Sequence, residues 1–111
     1  MKDVANLTEL NEELVKSDEE KKLILLDMYT DWCGPCKYLS PLLKILEETY
    51  QDKVTFLKAN IQNAQDIGDY YEVIKIPLIK LFKNGYEVDS IEGAQNLEYY
   101  KNKLNEFIAT Q

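Results

Sequence analysis

The chain has 111 residues, 30% of them charged and 45% hydrophobic, with a net charge of −7. That length suits one domain, 1–111, with a single core that needs no disulfide framework to fold. The acidic balance argues against nucleic acid or an anionic membrane surface as a partner and reads as a solubility device. Met1-Lys2-Asp3-Val4-Ala5-Asn6 carries no apolar leader run and no later run reaches membrane length, so a cytoplasmic, reducing setting is expected.

Along the chain, a short edge strand is possible near Lys2 to Ala5. Asn6 can cap a first helix, with Glu9 three residues on and Leu7, Leu10 and Leu14 as its apolar stripe. Leu23-Ile24-Leu25-Leu26 is continuously apolar, as in a strand covered on both faces, and Asp27 closes it. A helix follows with Leu39, Leu42, Leu43, Leu46 and Tyr50 at helical spacing, and Pro41 within it predicts a kink. Lys53 to Ile61 reads as the next strand. Asn63 can cap a short helix burying Ile67, Tyr70 and Tyr71. Pro77 to Lys83 and Tyr86 to Ile91 flank Asn84-Gly85, a strong two-residue hairpin signal. Leu97, Tyr100, Leu104, Phe107 and Ile108 stripe a last helix. Helices between strands imply parallel pairing and the hairpin adds antiparallel strands, so the expected class is α/β. The expected form is a mixed central sheet of four to five strands with four helices, in three layers.

The only two cysteines lie in Trp32-Cys33-Gly34-Pro35-Cys36-Lys37, at the seam between the apolar strand and its helix. Two residues between two thiols allow a small disulfide ring. A helix start offers unpaired N–H groups and partial positive charge, which favour a thiolate. Gly34-Pro35 suits that start, because proline in the first turn loses no helical bond. The segment reads as a redox dithiol, with Cys33 the exposed nucleophile and Cys36 the resolving thiol. Zinc would need about four ligands, and without His or further Cys only a dimer pooling two pairs supplies them. A structural staple across so short a loop constrains the unfolded chain little. Two inert buried thiols are the third alternative. Asp27 is expensive to bury and should then hold its proton more tightly, unless it is an exposed turn-capping residue.

These residues resemble the thioredoxin family. The resemblance runs from about Asn6 to Ile108 and is carried by Asp27, the Trp32–Lys37 segment, Pro41, Lys58, Ile76-Pro77, Phe82-Lys83-Asn84-Gly85 and Glu92-Gly93-Ala94. It implies reduction of disulfides in other proteins. Cys33 attacks to form a mixed disulfide and Cys36 displaces the reduced product. Asp27, with Lys58 beside it, accepts the Cys36 proton, and Pro77 forms a cis bond facing the dithiol. Trp32 would be a partly exposed shelf over the cysteines, and Ile61, Ile76, Gly93 and Ala94 an apolar contact surface. No bound cofactor is expected beyond the Cys33–Cys36 disulfide. A flavin-containing reductase is the implied electron donor, oxidised proteins the substrates, and a monomer the expected state. The competing functions are an oxidant or isomerase of the same fold, and a docking or processivity-type subunit whose thiols are incidental.

Several positions depart from the family pattern. Tyr29 stands where Trp or Phe is common, Gln62 for a frequent Asp, and Leu78 for the Thr after the cis-proline. Lys75 replaces a small residue and Glu92 an apolar one. Both charges are expected on the rim of the contact surface, biasing partner choice, with Lys75 also favouring the Cys33 thiolate.

Overall fold

The computed structural model describes residues 1–109, so the last two residues of the expected domain lie outside the described residues. Its elements in chain order are β1 (Lys2–Asp3), α1 (Leu7–Glu19), β2 (Leu23–Tyr29), α2 (Gly34–Tyr50), β3 (Val54–Asn60), α3 (Gln65–Tyr70), β4 (Leu78–Lys83), β5 (Tyr86–Glu92) and α4 (Leu97–Ala109). The five strands form one sheet in the order β1-β3-β2-β4-β5. β3 pairs in parallel with β1 and β2, whereas β4 runs antiparallel to β2 and β5.

Alternation along the strands separates two cores. Leu23, Leu25, Ile79, Leu81 and Ile91 pack with Leu39, Leu43 and Leu46 of α2 and with Tyr100 and Leu104 of α4. Ile24, Leu26, Met28, Leu57, Leu78 and Phe82 face the other way, onto Leu10 of α1 and Ile67 of α3. The result is the three-layer α/β arrangement in which each face of the sheet is hydrophobic, as burial on both faces requires.

Local chemistry explains the element ends. Asn6 Oδ1 accepts the Glu9 amide at 2.9 Å, and the Glu9 carboxylate reaches back to the Ala5 amide at 3.0 Å. Two unpaired donors at the start of α1 are thereby satisfied. The Asn6→Ala variant is expected to lose about 1 kcal/mol of stability, read as a lower denaturation midpoint with unchanged slope. The hairpin turn places Asn84 at φ 55° and Gly85 at φ 81°, the left-handed pair that matches strand twist. α2 runs through Pro41, whose ring cannot donate to the Lys37 carbonyl.

Some expectations need correction. Asn63 does not cap α3. Ala64 occupies that position without a side-chain bond, and the Asn63 amide instead donates to the Asn60 carbonyl at 3.0 Å. Tyr70 is exposed rather than buried, because in a six-residue helix only Ile67 faces the sheet. β3 is one residue shorter at each end than Lys53 to Ile61, and β4 begins at Leu78, after Pro77, rather than on it.

Candidate active site

The sheet brings the separate motifs to one edge. Register pairs Met28 with Leu78 and Tyr29 with Asn60, so Pro77 and Ile61 lie level with the end of β2, from which the dithiol loop departs. The Ile61 amide donates to the Tyr29 carbonyl at 3.0 Å, and the Asp31 amide to Gln62 Oε1 at 3.2 Å. Gln62, in place of a carboxylate, therefore anchors the loop before Trp32. On the other side, the Gly93 amide donates to the Pro77 carbonyl at 2.9 Å. Gly93 sits at φ 77°, a conformation that side chains resist.

Cys33 and Cys36 form a disulfide with their Cα atoms 5.2 Å apart. Cys33 is the N-cap of α2, and its Sγ accepts the Cys36 amide at 3.1 Å. Gly34 and Pro35 occupy the first turn between them. The sulfur of Cys33 thus sits where unpaired amides and the helix dipole stabilise negative charge. Both cysteines are buried, Cys33 at 7% exposure and Cys36 at 8%. Cys33 is not the more exposed of the two in the disulfide state, contrary to the expectation, because the closed ring folds both sulfurs against the helix start. Trp32 is 83% exposed, so its indole stands in solvent rather than as a half-covered shelf.

Asp27 is the buried acid of the site. It points to the α2 face of β2, is 8% exposed, and its Oδ1 has no hydrogen-bond partner. Burial pushes its carboxyl up to about 7, against a smaller downward pull from the Lys58 ammonium. Lys58 is its partner in register on β3. Asp27, Lys58 and Cys36 line one open cleft of about 610 Å³, which Tyr29 and Lys37 also border. A proton leaving Cys36 therefore has a solvent-connected route to a carboxylate poised near neutrality.

The Ile76–Pro77 bond is cis, Pro77 is buried, and Ile76 is half-buried. Neither the amide nor the carbonyl of Ile76 bonds to another described residue. They remain available to an extended chain, as an unpaired strand edge is. Ile61, Gly93 and Ala94 are half-buried nearby, while Lys75 and Glu92 are exposed. Ile74 was not anticipated as part of this surface, yet at 92% exposure it is the barest large apolar side chain described. Its only sequence signal was an aliphatic residue outside any periodic stripe. Lys80 was missed too, although a charge inside Leu78-Ile79-Lys80-Leu81-Phe82 marked it.

The thioredoxin family model matches residues 3–109. A thioredoxin from Ophiophagus hannah is 36% identical over 108 residues, covering 97% of this chain and 95% of that protein. The peptide-N(4)-(N-acetyl-beta-glucosaminyl)asparagine amidase of Caenorhabditis briggsae is 42% identical over 85% of this chain, which spans only 15% of the amidase's length. Among solved structures, Fasciola hepatica thioredoxin superposes with a TM-score of 0.85 at 27% identity, covering 96% of this chain and 98% of that one. With the dithiol, the fold and these likenesses together, the chain belongs to the thioredoxin family.

Proposed function

We propose that this protein is a thiol–disulfide oxidoreductase that reduces disulfide bonds in other proteins. The observation that carries this reading is the Cys33–Cys36 disulfide at the start of α2, joined to the unpartnered, buried Asp27 through a shared cleft. In the reduced protein the Cys33 thiolate attacks one sulfur of a substrate disulfide. A mixed disulfide forms and the first substrate thiolate leaves. Asp27 takes the Cys36 proton, and the Cys36 thiolate attacks the Cys33 sulfur. The intramolecular disulfide closes and the second substrate thiolate departs. Two electrons pass to the substrate, and the cysteines end oxidised. Lys58 moderates the Asp27 affinity for that proton. Ile76 offers backbone, and Trp32, Ile61, Pro77, Gly93 and Ala94 offer apolar contact to an extended substrate segment.

Thioredoxins are in general reduced by thioredoxin reductase and reduce oxidised proteins. A flavin-containing reductase is the proposed electron donor, with a cytoplasmic setting and a monomeric state as parts of the same proposal. The test is reduction of insulin disulfides with dithiothreitol as electron source, together with a redox titration of the Cys33–Cys36 pair. Catalysed reduction and a potential below about −200 mV are expected; a potential well above that value places the protein with disulfide isomerases and overturns the reading.

A further inference from the structure

Beside the Ile76–Pro77 bond lies a second groove, of about 380 Å³, bordered by Tyr71, Glu72, Lys75, Leu78, Lys80 and Glu92. Three of those residues, Lys75, Leu78 and Glu92, are departures from the family pattern, and they come from two separate stretches of chain. The groove is continuous with the Ile76–Pro77 surface, since Leu78 follows Pro77 and pairs with Glu92 across β4 and β5. Ile74 stands exposed on its rim.

The charges decide what the groove accepts. Lys80 is already neutralised: its Nζ lies 2.9 Å from Glu87 Oε1, 3.3 Å from Ser90 Oγ and 5.2 Å from the centre of the Tyr71 ring. Glu72, Lys75 and Glu92 are exposed, and none forms an ion pair among the described residues. With Lys80 paired to Glu87, the exposed groups of the lining are two carboxylates (Glu72, Glu92) and one ammonium group (Lys75), an excess of one negative charge. Glu72 also holds the left-handed position after α3, at φ 51°. Its amide bonds the Asp69 carbonyl at 3.1 Å and the Val73 amide bonds the Gly68 carbonyl at 2.9 Å, a helix ending that glycine makes with least strain. A glutamate there carries a backbone cost and sets its carboxylate at the groove.

We propose that this groove selects substrate segments carrying a basic side chain, arginine above all, close to the disulfide to be reduced. The aliphatic stem lies along Leu78 and the edge of Tyr71, whose ring face the Lys80 ammonium already covers. The cationic head meets the carboxylates of Glu92 and Glu72. An extended segment pairing with Ile76 sends alternate side chains to one face, which brings one of them to the groove. Lys75 competes with the incoming cation and limits the preference.

This inference rests on the reductase reading, and the experiment separates the two. Disulfide-linked peptides carrying Arg, Ala or Glu at each of the two positions on either side of the cysteine are compared by kcat/KM. At low salt the best-placed Arg is expected to exceed Ala by about two- to five-fold, the scale of exposed charge pairs. That ratio falls toward one near 1 M salt, where the Debye length is about 3 Å. It also falls in the double variant Glu72→Gln, Glu92→Gln, and it rises in Lys75→Ala. Equal rates for Arg and Ala, a preference for Glu, or an Arg preference that survives the double variant overturns the groove assignment alone. Absence of turnover on every peptide overturns the reductase reading, and the groove assignment with it.

Discussion

Cys33→Ser is expected to abolish disulfide-reducing turnover, and Cys36→Ser to stop it after a single attack. Both should lower insulin reduction by at least about a thousand-fold, the scale on which loss of a covalent nucleophile acts. The two variants differ in what they leave behind. Cys33 occupies the N-cap of α2 with its sulfur against the Cys36 amide, so it retains the stabilised position for attack when Cys36 is gone. The Cys36→Ser variant should accumulate a covalent complex with an oxidised substrate, detectable by mass and released by dithiothreitol. Cys33→Ser should accumulate none, because the remaining thiol lies inside the first helical turn, away from the N-cap position where the unpaired amides favour a thiolate. A complex captured by Cys33→Ser in place of Cys36→Ser would reverse the two roles. A biological role that survives both changes although turnover is lost would leave the surface as a docking module only. The helix-end effect is typically below about 1 kcal/mol. It is therefore too small by itself to activate a thiol strongly, and the assignment depends on the N-cap geometry of Cys33 as much as on charge.

The sheet-level plan was legible because periodicity reports burial directly. Leu23 to Leu26 became a central strand and Leu39, Leu43 and Leu46 the buried stripe of α2. Asp27 was legible as well: a carboxylate closing an apolar run has few inexpensive environments, and it proved 8% exposed with Oδ1 unpartnered. The paired cysteines carried the chemistry through spacing alone. What spacing could not give was facing. Tyr70 and Tyr71 are adjacent aromatics, yet one is exposed and the other packs its ring against Phe82, 6.2 Å centre to centre. A helix of six residues buries too little to be read from a stripe. The second groove was illegible for a different reason. Tyr71 and Glu72, Lys75 and Leu78, and Glu92 lie in three stretches that converge only after β5 pairs with β4. Each charge in isolation was compatible with an ordinary solvated surface, and the departure of Leu78 from the family pattern marked a position without indicating what it floors.

Asp27→Asn is expected to make the protein more stable and a slower reductase. The sign follows from proton binding. The carboxyl of Asp27 rises from an ordinary 3.8 to about 7 in the folded chain, first because burial penalises the charge and despite the Lys58 ammonium. Between those values the folded protein holds a proton that the unfolded chain has released, so stability falls as pH rises through this window. Above it the full penalty persists, with an upper limit of about 4 kcal/mol at about 1.36 kcal/mol per pH unit. An amide of the same shape carries no such penalty. Denaturation of the disulfide form should therefore show variant and wild type converging near pH 4 and separating progressively to about pH 7, the variant being the more stable by about 2–4 kcal/mol. Parallel stability curves across that range would mean Asp27 is solvated and unperturbed. The kinetic consequence runs the other way. Wild-type release of substrate from the mixed disulfide should accelerate as pH rises through about 7, because ionised Asp27 is then free to take the Cys36 proton. The variant lacks that acceptor, so its release should be slower and should lose the inflection assigned to Asp27. Formation of the mixed disulfide by Cys33 should change much less, since that attack expels a substrate thiolate and needs no proton from Cys36. Single-turnover measurements that separate attack from release across pH 6 to 9 would detect this split, and equal slowing of both steps would assign Asp27 a structural role only.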